Sequence, residues 1–413
     1  MDDIRKMIKK TSPPAVTLQT LRTTLTLPPA AARTIINDLS KPLHDQKRFV
    51  KKFDNEHWKG SLIMSEMIRC DDAVAIERLK RSDIVIFEVH GGGFRVGNSL
   101  APKHKYPIPL NETLKAYQYL TQDLGVSPNR VIFSGDSAGG ALCLETLMRT
   151  YTPNIIHDLD APRENMDPIP AGILLTSPLV TAETSSESWK KFAKSDMVSP
   201  ALVKLVLKEF LGLPERDEKE LPILRLSHIR SKFERFLPKN VMVFVGSKEV
   251  MRDDILELAN SVKEDGASNI TVYEENYAHD WFLIHEIVKK KDKMMLKRYD
   301  ELFVDFVVKS VREALATSSS AVNLSVQDIK LPPIATTMTN EEQNSDADTF
   351  EEKDQGVITK EDVSRDIPIV TTKSEDVTIE TISIDSDKVK DGVPQKVSKE
   401  NDTVLSAYQI TSV

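Results

Sequence analysis

The sequence predicts an α/β protein with a mostly parallel central sheet that is covered by helices on both faces. Short apolar runs alternate with amphipathic helical patterns along residues 84–315, which is typical of parallel strands joined by helical crossovers. The chain has 413 residues, 40% hydrophobic and 29% charged, so it can bury a large core. In such folds the chemistry lies at the carboxyl ends of the strands.

Strands are predicted where short apolar runs are rich in β-branched residues. They are IVIFEV (84–89), VIFS (131–134), GILLTS (172–177), VMVFV (241–245) and ITVYE (270–274). Amphipathic patterns such as NETLKAYQYLTQDLG, ALCLETLMRT, DDILELANSVKEDG and DKMMLKRYDELFVDFVVKSVREAL separate or follow them and predict helices.

Composition divides the chain into three parts. Residues 1–60 look helical and punctuated by proline, and we expect an N-terminal helical or cap region there. Residues 61–316 form the α/β domain, in which 184–232 hold helices without a clear strand and are expected to complete a helical cap over the sheet edge.

The third part, residues 317–413, is an acidic tail with 19 acidic and nine basic residues and only two aromatic ones. Because it has too little apolar surface to offset the entropy of ordering, we predict that it is disordered. The alternation VTIETISI (377–384) leaves a strand or docking segment as the less favoured alternative.

Charge and targeting patterns exclude several classes of function. The first 316 residues carry 44 acids and 46 bases, which argues against a nucleic-acid partner. We find no apolar window long enough for a membrane span and no apolar segment after MDDIRKMIKK that would indicate a secretory signal. Two cysteines, Cys70 and Cys143, indicate a reducing compartment, and Cys143 is expected to be a buried apolar residue. We expect a cytoplasmic location, with ER association and peripheral membrane contact left open.

A nucleophile elbow is predicted at residues 131–140, which read VIFSGDSAGG. The pattern Gly135-x-Ser137-x-Gly139 follows a strand and precedes a helix, and the tight turn of such an elbow leaves no room for side chains at the glycines. Small residues also fill ordinary strand-to-helix turns, so the pattern gains weight from partners elsewhere. Ser137 is the candidate nucleophile.

An oxyanion hole is predicted in HGGGF, residues 90–94, directly after the first predicted strand. Acyl transfer needs N–H groups directed at a developing oxyanion, and glycines let a loop approach the substrate closely. We assign Gly92 and Gly93, with Gly91 supporting, together with the N–H of Ala138. His90 is expected to brace the loop; a merely flexible loop is the alternative reading.

A serine hydroxyl needs a general base that is oriented by an acid, and in this type of fold both follow the nucleophile along the chain. His279 comes shortly after the last strand, whereas His285 lies in a helical pattern, so His279 is the preferred base. Glu249 is the first carboxylate after VMVFV and is the preferred acid. Asp253, one turn later, is the alternative acid, and its neighbour Asp254 also suits a helix N-terminus.

The motifs HGGGF, GDSAGG, EVMRDD and AHDWF, in this order, resemble the hormone-sensitive-lipase-like branch of the α/β-hydrolase fold. Residues 60–315 look like the fungal esterases that include steryl acetyl hydrolases. The resemblance implies hydrolysis of small-molecule or lipid carboxylic esters with modest acyl groups, without metal or organic cofactor. It also implies the catalytic acid at the first residue of EVMRDD, Glu249.

One departure from that branch concerns the segment after HGGG. Members usually carry a helix and a strand there, whereas VGNS runs straight into LAPKHKYPIP at residue 100. The strand 84–89 would then lack its neighbour and leave unpaired N–H and C=O groups along an apolar edge. Two explanations stay open, a splice or gene-model variant and a member with rearranged early strands.

The sequence thus predicts a serine ester hydrolase, with two rival classes. One is a catalytically impaired ligand-binding or scaffold protein on the same fold, suggested by the absent unit and the long tail. The other is a peptidase or amidase, which shares the triad and differs in the leaving group. The sequence leaves the oligomeric state, the acyl chain and the alcohol open.

Overall fold

One sheet forms the centre of the protein. The computed structural model describes residues 12–42, 44, 46–54, 58–64, 71–94, 105–211, 225–322 and 379–383. Its strands are β1 Val50–Asp54, β2 Lys59–Ile63, β3 Ile84–Val89, β4 Val131–Asp136, β5 Gly172–Thr176, β6 Asn240–Gly246, β7 Asn269–Glu275 and β8 Ile379–Ser383. Their order across the sheet is β1-β2-β8-β3-β4-β5-β6-β7. All pairs from β8 to β7 are parallel, and β2 is antiparallel to both β1 and β8.

The five predicted strands are confirmed as β3 to β7, and the sheet is mostly parallel as expected. Every residue of β3, β4, β5 and β6 is buried, which explains why these strands are continuous apolar runs rather than alternating ones. At the sheet edge, β7 alternates between exposed and partly buried residues.

Helices cover the sheet. Within the described residues they are α1 Pro14–Thr26, α2 Pro29–Ser40, α3 Asp72–Arg81, α4 Ile108–Gln118, α5 Ser137–Tyr151, α6 Glu187–Phe192, α7 Pro200–Leu211, α8 Arg252–Asp265 and α9 Lys293–Val322. Local signals set several ends: the Asp71 side chain accepts a hydrogen bond from the N–H of Val74 at the start of α3, and Gly266, with φ 72°, ends α8. Helix α5 is almost wholly buried, Cys143 included, which confirms the apolar role predicted for that cysteine.

Helices α1 and α7, from the two regions expected to form a cap, lie on the same side of the molecule. The Arg22 side chain of α1 donates to the carbonyl oxygens of Ala193 and Asp196, in the segment before α7. On α7, the Phe210 ring stacks on Phe94 with centroids 3.9 Å apart, which joins the glycine loop to that helix. No helix of the described part is apolar over a length that could cross a bilayer.

At both ends of the domain the structure departs in part from the expectation. The region 1–60, expected to be a helical or cap region, holds α1 and α2 but also the strand Val50–Asp54, which pairs with β2. Its sequence VKKFD is short and carries two lysines, so it lacks the apolar run that indicates a strand. At the other end, α9 continues to Val322, beyond the boundary predicted at residue 316.

The tail contributes a strand to the sheet. Disorder was favoured over a strand for residues 377–384, but Ile379–Ser383 forms β8 between β2 and β3. The edge of β3 that was expected to lack a neighbour is therefore paired, and the paired backbone groups are the physical reason for the strand. The junction at which the helix and strand of the related branch are absent falls in residues 95–104, outside the described residues.

Candidate active site

Ser137 stands at a sharp turn between a strand and a helix. Strand β4 ends at Asp136 and α5 begins at Ser137, whose φ of 49° is rare for a residue with a side chain. Gly139 has to be glycine because a Cβ there would lie 1.9 Å from the carbonyl oxygen of Val89. The close approach packs the elbow against the end of β3, so these two backbone segments hold their positions relative to each other.

The glycine loop follows β3 directly and faces the elbow. Gly92, Gly93 and Phe94 have φ of 101°, 63° and 54°, a run of left-handed conformations that favours glycine at the first two positions. Gly92, Gly93 and Ala138 border the same cavity as Ser137. Ala138 lies in the first turn of α5, where N–H groups have no partner within their helix.

Gly91 differs from the other predicted oxyanion donors. Its N–H donates to Asp136 Oδ1 at 2.7 Å, so it is a brace between the loop and the elbow rather than a donor to the cavity. A Cβ at Gly91 would lie 2.1 Å from Asp136 Oδ2. His90 Nδ1 hydrogen-bonds to the carbonyl oxygen of Gly91 at 2.8 Å, which confirms the bracing contact expected of this ring.

His279 and Glu249 are brought together by the loops that follow β7 and β6. His279 Nδ1 lies 3.8 Å from Glu249 Oε2, and both side chains are buried. Glu249 Oε2 also accepts hydrogen bonds from Ser177 Oγ at 2.6 Å and from the N–H of Gly246 at 3.2 Å. Nδ1 and Glu249 Oε1 have no hydrogen-bond partner in the described residues. A shift of about 0.9 Å would turn this contact into a hydrogen bond.

The alternatives to these two residues occupy other positions. The Asp253 carboxylate bonds to Arg252 at 2.6 Å and accepts the N–H of Ser188 at 2.7 Å, near the start of α8. His285 begins a short 3₁₀ helix, and neither His285 nor Asp253 borders the cavity. The geometry therefore favours Glu249 over Asp253 as the acid and His279 over His285 as the base.

Sequence reasoning missed two carboxylates that contact His279. Asp280 Oδ2 lies 3.1 Å from Nε2, the ring nitrogen that a general base would turn toward the serine. Asp280 directly follows the histidine, so a charged neighbour was visible in the sequence. Asp196 Oδ1 accepts the N–H of His279 at 3.2 Å, and its Oδ2 accepts the N–H of Val250 at 2.8 Å. Asp196 thereby ties the histidine loop to the loop that carries Glu249.

The charges around His279 shift its titration strongly. Burial alone disfavours the protonated ring, but Asp280, then Glu249 and Asp196, outweigh burial and raise the pKa of His279 to about 10. Burial also raises the pKa of Asp136 and of Glu249, although the charge of His279 opposes the rise. Among the described residues, no group of His, Cys, Asp and Glu has the arrangement of a metal site.

The cavity in front of Ser137 opens to solvent and has a volume of about 800 Å³ when the solvent space at its mouth is included. It is bordered by the elbow, the glycine loop and His279. The other lining residues are mainly apolar and come from α1, from α7 and the segment before it, and from the segments after β5, β6 and β7: Leu21, Leu25, Leu179, Met197, Val198, Leu202, Val203, Val206, Met251, Leu283 and Ile284. A hydroxyl, an imidazole and backbone donors thus border one apolar cavity, which is the arrangement that acyl transfer requires.

Comparison with known proteins finds the same fold. Residues 94–283 match a family model described as alpha/beta hydrolase fold. The chain is 25% identical over 222 residues to an esterase of Acinetobacter venetianus, covering 48% of this chain and 66% of the esterase. It is 25% identical over 171 residues to hormone-sensitive lipase of Mus musculus, covering 35% and 21%. It is 30% identical over 122 residues to lipase 2 of Moraxella sp., covering 23% and 27%. The chain thus spans less than two thirds of each of these relatives.

Solved structures agree on the architecture. An esterase from the bacterial hormone-sensitive lipase family aligns with a TM-score of 0.52 at 21% identity, over 71% of this chain and 96% of that chain. The structure of EstE5 soaked with p-nitrophenyl butyrate aligns with a TM-score of 0.51 at 20% identity, over 76% and 98%. At these identities the likeness shows the fold, and the predicted fold class is confirmed.

Proposed function

Because the chain is an α/β-hydrolase of the hormone-sensitive-lipase-like type, we propose that it hydrolyses carboxylic esters through Ser137. One observation carries the proposal: Ser137, His279, Gly92 and Gly93 border a single cavity although they are far apart in the chain. Relatives named esterase and lipase support the reaction class.

The proposed reaction has two halves. Ser137 Oγ attacks the ester carbonyl while His279 takes its proton, and the oxyanion is stabilised by the N–H groups of Gly92, Gly93 and Ala138. His279 then gives the proton to the departing alcohol, leaving an acyl-enzyme. Water, deprotonated by His279, releases the acid and restores the serine. Glu249 holds the ring through Nδ1 and stabilises the imidazolium.

A change of partner at Nε2 is part of this proposal. In the structure Nε2 faces Asp280 at 3.1 Å, whereas catalysis requires it to face the Ser137 hydroxyl. A ring that is protonated between carboxylates cannot accept a proton. Hydrolysis therefore requires the neutral ring, and we expect the activity to rise with pH through the pKa of His279.

The substrate class follows from the cavity walls and from the resemblance. The apolar side chains of α1 and α7 suit an uncharged, apolar ester better than a charged one. We propose esters of acetate or other modest acyl groups with an apolar alcohol, steryl and other lipid acetates among them. A series of p-nitrophenyl esters from acetyl to dodecanoyl, with a steryl acetate, tests this choice; a preference for dodecanoyl esters would contradict it.

Ser137→Ala tests the reaction itself. Hydrolysis of p-nitrophenyl acetate by this variant is expected to fall to the solution background. The matched control is Ser268→Ala, because Ser268 is also buried but its hydroxyl bonds to the carbonyl oxygen of Pro238, beside the starts of β6 and β7. Equal activity of Ser137→Ala and the wild type would overturn the proposal, and loss in both variants would point to a folding defect.

A second candidate function, ligand binding without catalysis, is favoured by the Asp280 contact at Nε2. It predicts no turnover of p-nitrophenyl esters between pH 5 and about 11, a range that extends past the pKa of His279. It also predicts that an apolar ester stabilises the protein in proportion to its occupancy. An amide analogue of the best ester distinguishes esterase from amidase activity.

A further inference from the structure

The feature that the proposed function does not use is the position of β8 between two strands that come early in the chain. Strand β8 runs parallel to β3, with Ile84 opposite Ile379 and Glu88 opposite Ser383. It runs antiparallel to β2, with Ser61 opposite Ser383. β2 and β3 therefore both take their second neighbour from the tail.

Leaving this position empty would be costly for the sheet. All six residues of β3 are buried, and four of the five residues of β2 are buried as well. Without β8 each strand would have an unpaired row of N–H and C=O groups next to buried apolar residues. The gap is therefore a site for an extended segment, recognised mainly through backbone hydrogen bonds.

The chain can fill this site by itself. Roughly 56 residues, 323–378, separate the end of α9 from β8. At about 3.4 Å per residue a segment of this length reaches up to roughly 190 Å, far more than a domain diameter. The number of residues before β8 therefore does not dictate where the strand binds. Strand β8 is five residues long and pairs with β2 over only three of them, so its release breaks few ladder hydrogen bonds.

The strand also reaches the proposed active site. Its last residue lies opposite Glu88, and β3 ends one residue later at Val89, where the loop His90–Phe94 begins. On the other side of β3, Val89 pairs with Gly135 at the elbow. The position of the glycine loop relative to Ser137 thus depends on β3 being held from both sides.

We propose that the gap between β2 and β3 is a strand-acceptor site whose occupant is the chain's own segment Ile379–Ser383, bound reversibly. Occupancy completes the sheet and holds the glycine loop against the elbow; release exposes the β3 edge. The acceptor recognises an extended peptide, and the tail provides that peptide within the same molecule. This proposal concerns the sheet and stands independently of the reaction at Ser137.

Hydrogen exchange of the full-length wild type gives the first test. Amides of Ile379–Ser383 are expected to exchange at least about tenfold more slowly than those of a free synthetic peptide of residues 376–386, yet faster than the amides of β4. Exchange at the rate of the free peptide would overturn the proposal. Protection equal to that of β4 would overturn its reversible part.

Thr381→Pro in the full-length chain gives the second test. Because β8 is paired on both sides, a proline at its centre removes a ladder hydrogen bond whichever neighbour it faces. Exchange of the β3 amides is expected to speed up about tenfold or more, while Val397→Pro, a proline elsewhere in the tail, leaves it unchanged. Unchanged β3 protection in Thr381→Pro contradicts the proposal, and if this variant does not fold, the wild-type exchange decides.

Addition of the 376–386 peptide in excess is expected to restore β3 protection in Thr381→Pro, whereas the same peptide with proline at 381 has no effect. If the unmodified peptide does not restore β3 protection, reversible binding at the acceptor site is overturned. Light scattering identifies the source of the strand: a monomer with protected residues 379–383 agrees with the proposal, and a dimer that loses this protection on dilution contradicts it. Each readout is independent of catalysis, so an inactive enzyme would refute the proposed function without touching this inference.

Discussion

Replacing Asp280 by asparagine removes the carboxylate nearest to the proposed general base, and we expect the pH at which hydrolysis becomes efficient to fall. Asp280 Oδ2 is 3.1 Å from His279 Nε2, and the two side chains are only 8% and 2% exposed. Its charge is the strongest of the influences that raise the pKa of His279 to about 10. Asparagine keeps the shape, tolerates the φ of 57°, and retains the N–H that donates to Ser177 Oγ.

The magnitude follows from the protonation of the ring. With a pKa of about 10, about one His279 ring in a thousand is neutral at pH 7. An opposite charge within hydrogen-bonding distance typically shifts a pKa by about 1–3 units, so its removal should lower the pKa of His279 by that amount. Because the base acts in its neutral form, the rising limb of kcat/KM moves to lower pH. At pH 7 the rate should increase by about 10-fold to 1000-fold.

The assay is the pH profile of kcat/KM for p-nitrophenyl butyrate from pH 5 to about 11, a range that extends past the pKa of about 10 of His279. Asp253→Asn is the control, because Asp253 bonds to Arg252 and Ser188 and is expected to leave the limb in place. A limb that stays within about 0.3 pH units in Asp280→Asn, or that moves upward, would refute the electrostatic reasoning. A shift of the limb in Asp253→Asn without a shift in Asp280→Asn would also refute this reasoning.

Three further variants and one matched control test the supporting parts of the site. Glu249→Gln should lower kcat by about 10²-fold to 10⁴-fold with little change in KM, because the ring loses the charge that orients it; steady-state kinetics show this, and an unchanged kcat argues for a different acid. Gly139→Ala places a Cβ 1.9 Å from the carbonyl oxygen of Val89, and we expect the free energy of unfolding to fall by about 3 kcal/mol with loss of activity. Gly266→Ala, where φ is 72° and no atom lies within 4 Å of the added Cβ, should cost only about 1 kcal/mol in urea unfolding and keep the activity; equal losses in both would contradict the backbone contact. Asp196→Asn should lower kcat about tenfold and shift the pH profile to lower pH, because the Asp196 carboxylate positions the His279 backbone and its charge raises the pKa of the His279 ring. If Asp196 were purely structural, the substitution would change stability without moving the pH profile.

The strands that were predicted and those that were missed differ in one physical respect. Strands β3 to β6 are buried on both faces, so their sequences are continuous apolar runs that can be recognised locally. β1 is short and rich in lysine, and β8 lies in an acidic tail. What makes β8 a strand is the unpaired edge of β3, almost 300 residues earlier in the chain. The residues of β8 themselves do not indicate which strand they pair with.

The candidate site also contains residues that the sequence could predict and residues that it could not. Ser137, His279 and Glu249 follow strands that could be predicted, and the parallel sheet brings strand ends together. The N–H of Gly91 was assigned to the wrong partner because its bond to Asp136 depends on how two loops approach each other. Asp196 acts on His279 from the region expected to form the cap, and no spacing in the sequence relates the two residues.

Mass spectrometry of the full-length protein after treatment with a fluorophosphonate tests the account most directly, because the reagent needs an activated serine next to a base and an oxyanion hole. We predict a single adduct on Ser137, formed faster as the pH rises through the pKa of His279 and absent after His279→Ala. No adduct at any pH, or an adduct on another serine while Ser137 stays unmodified, would contradict the account.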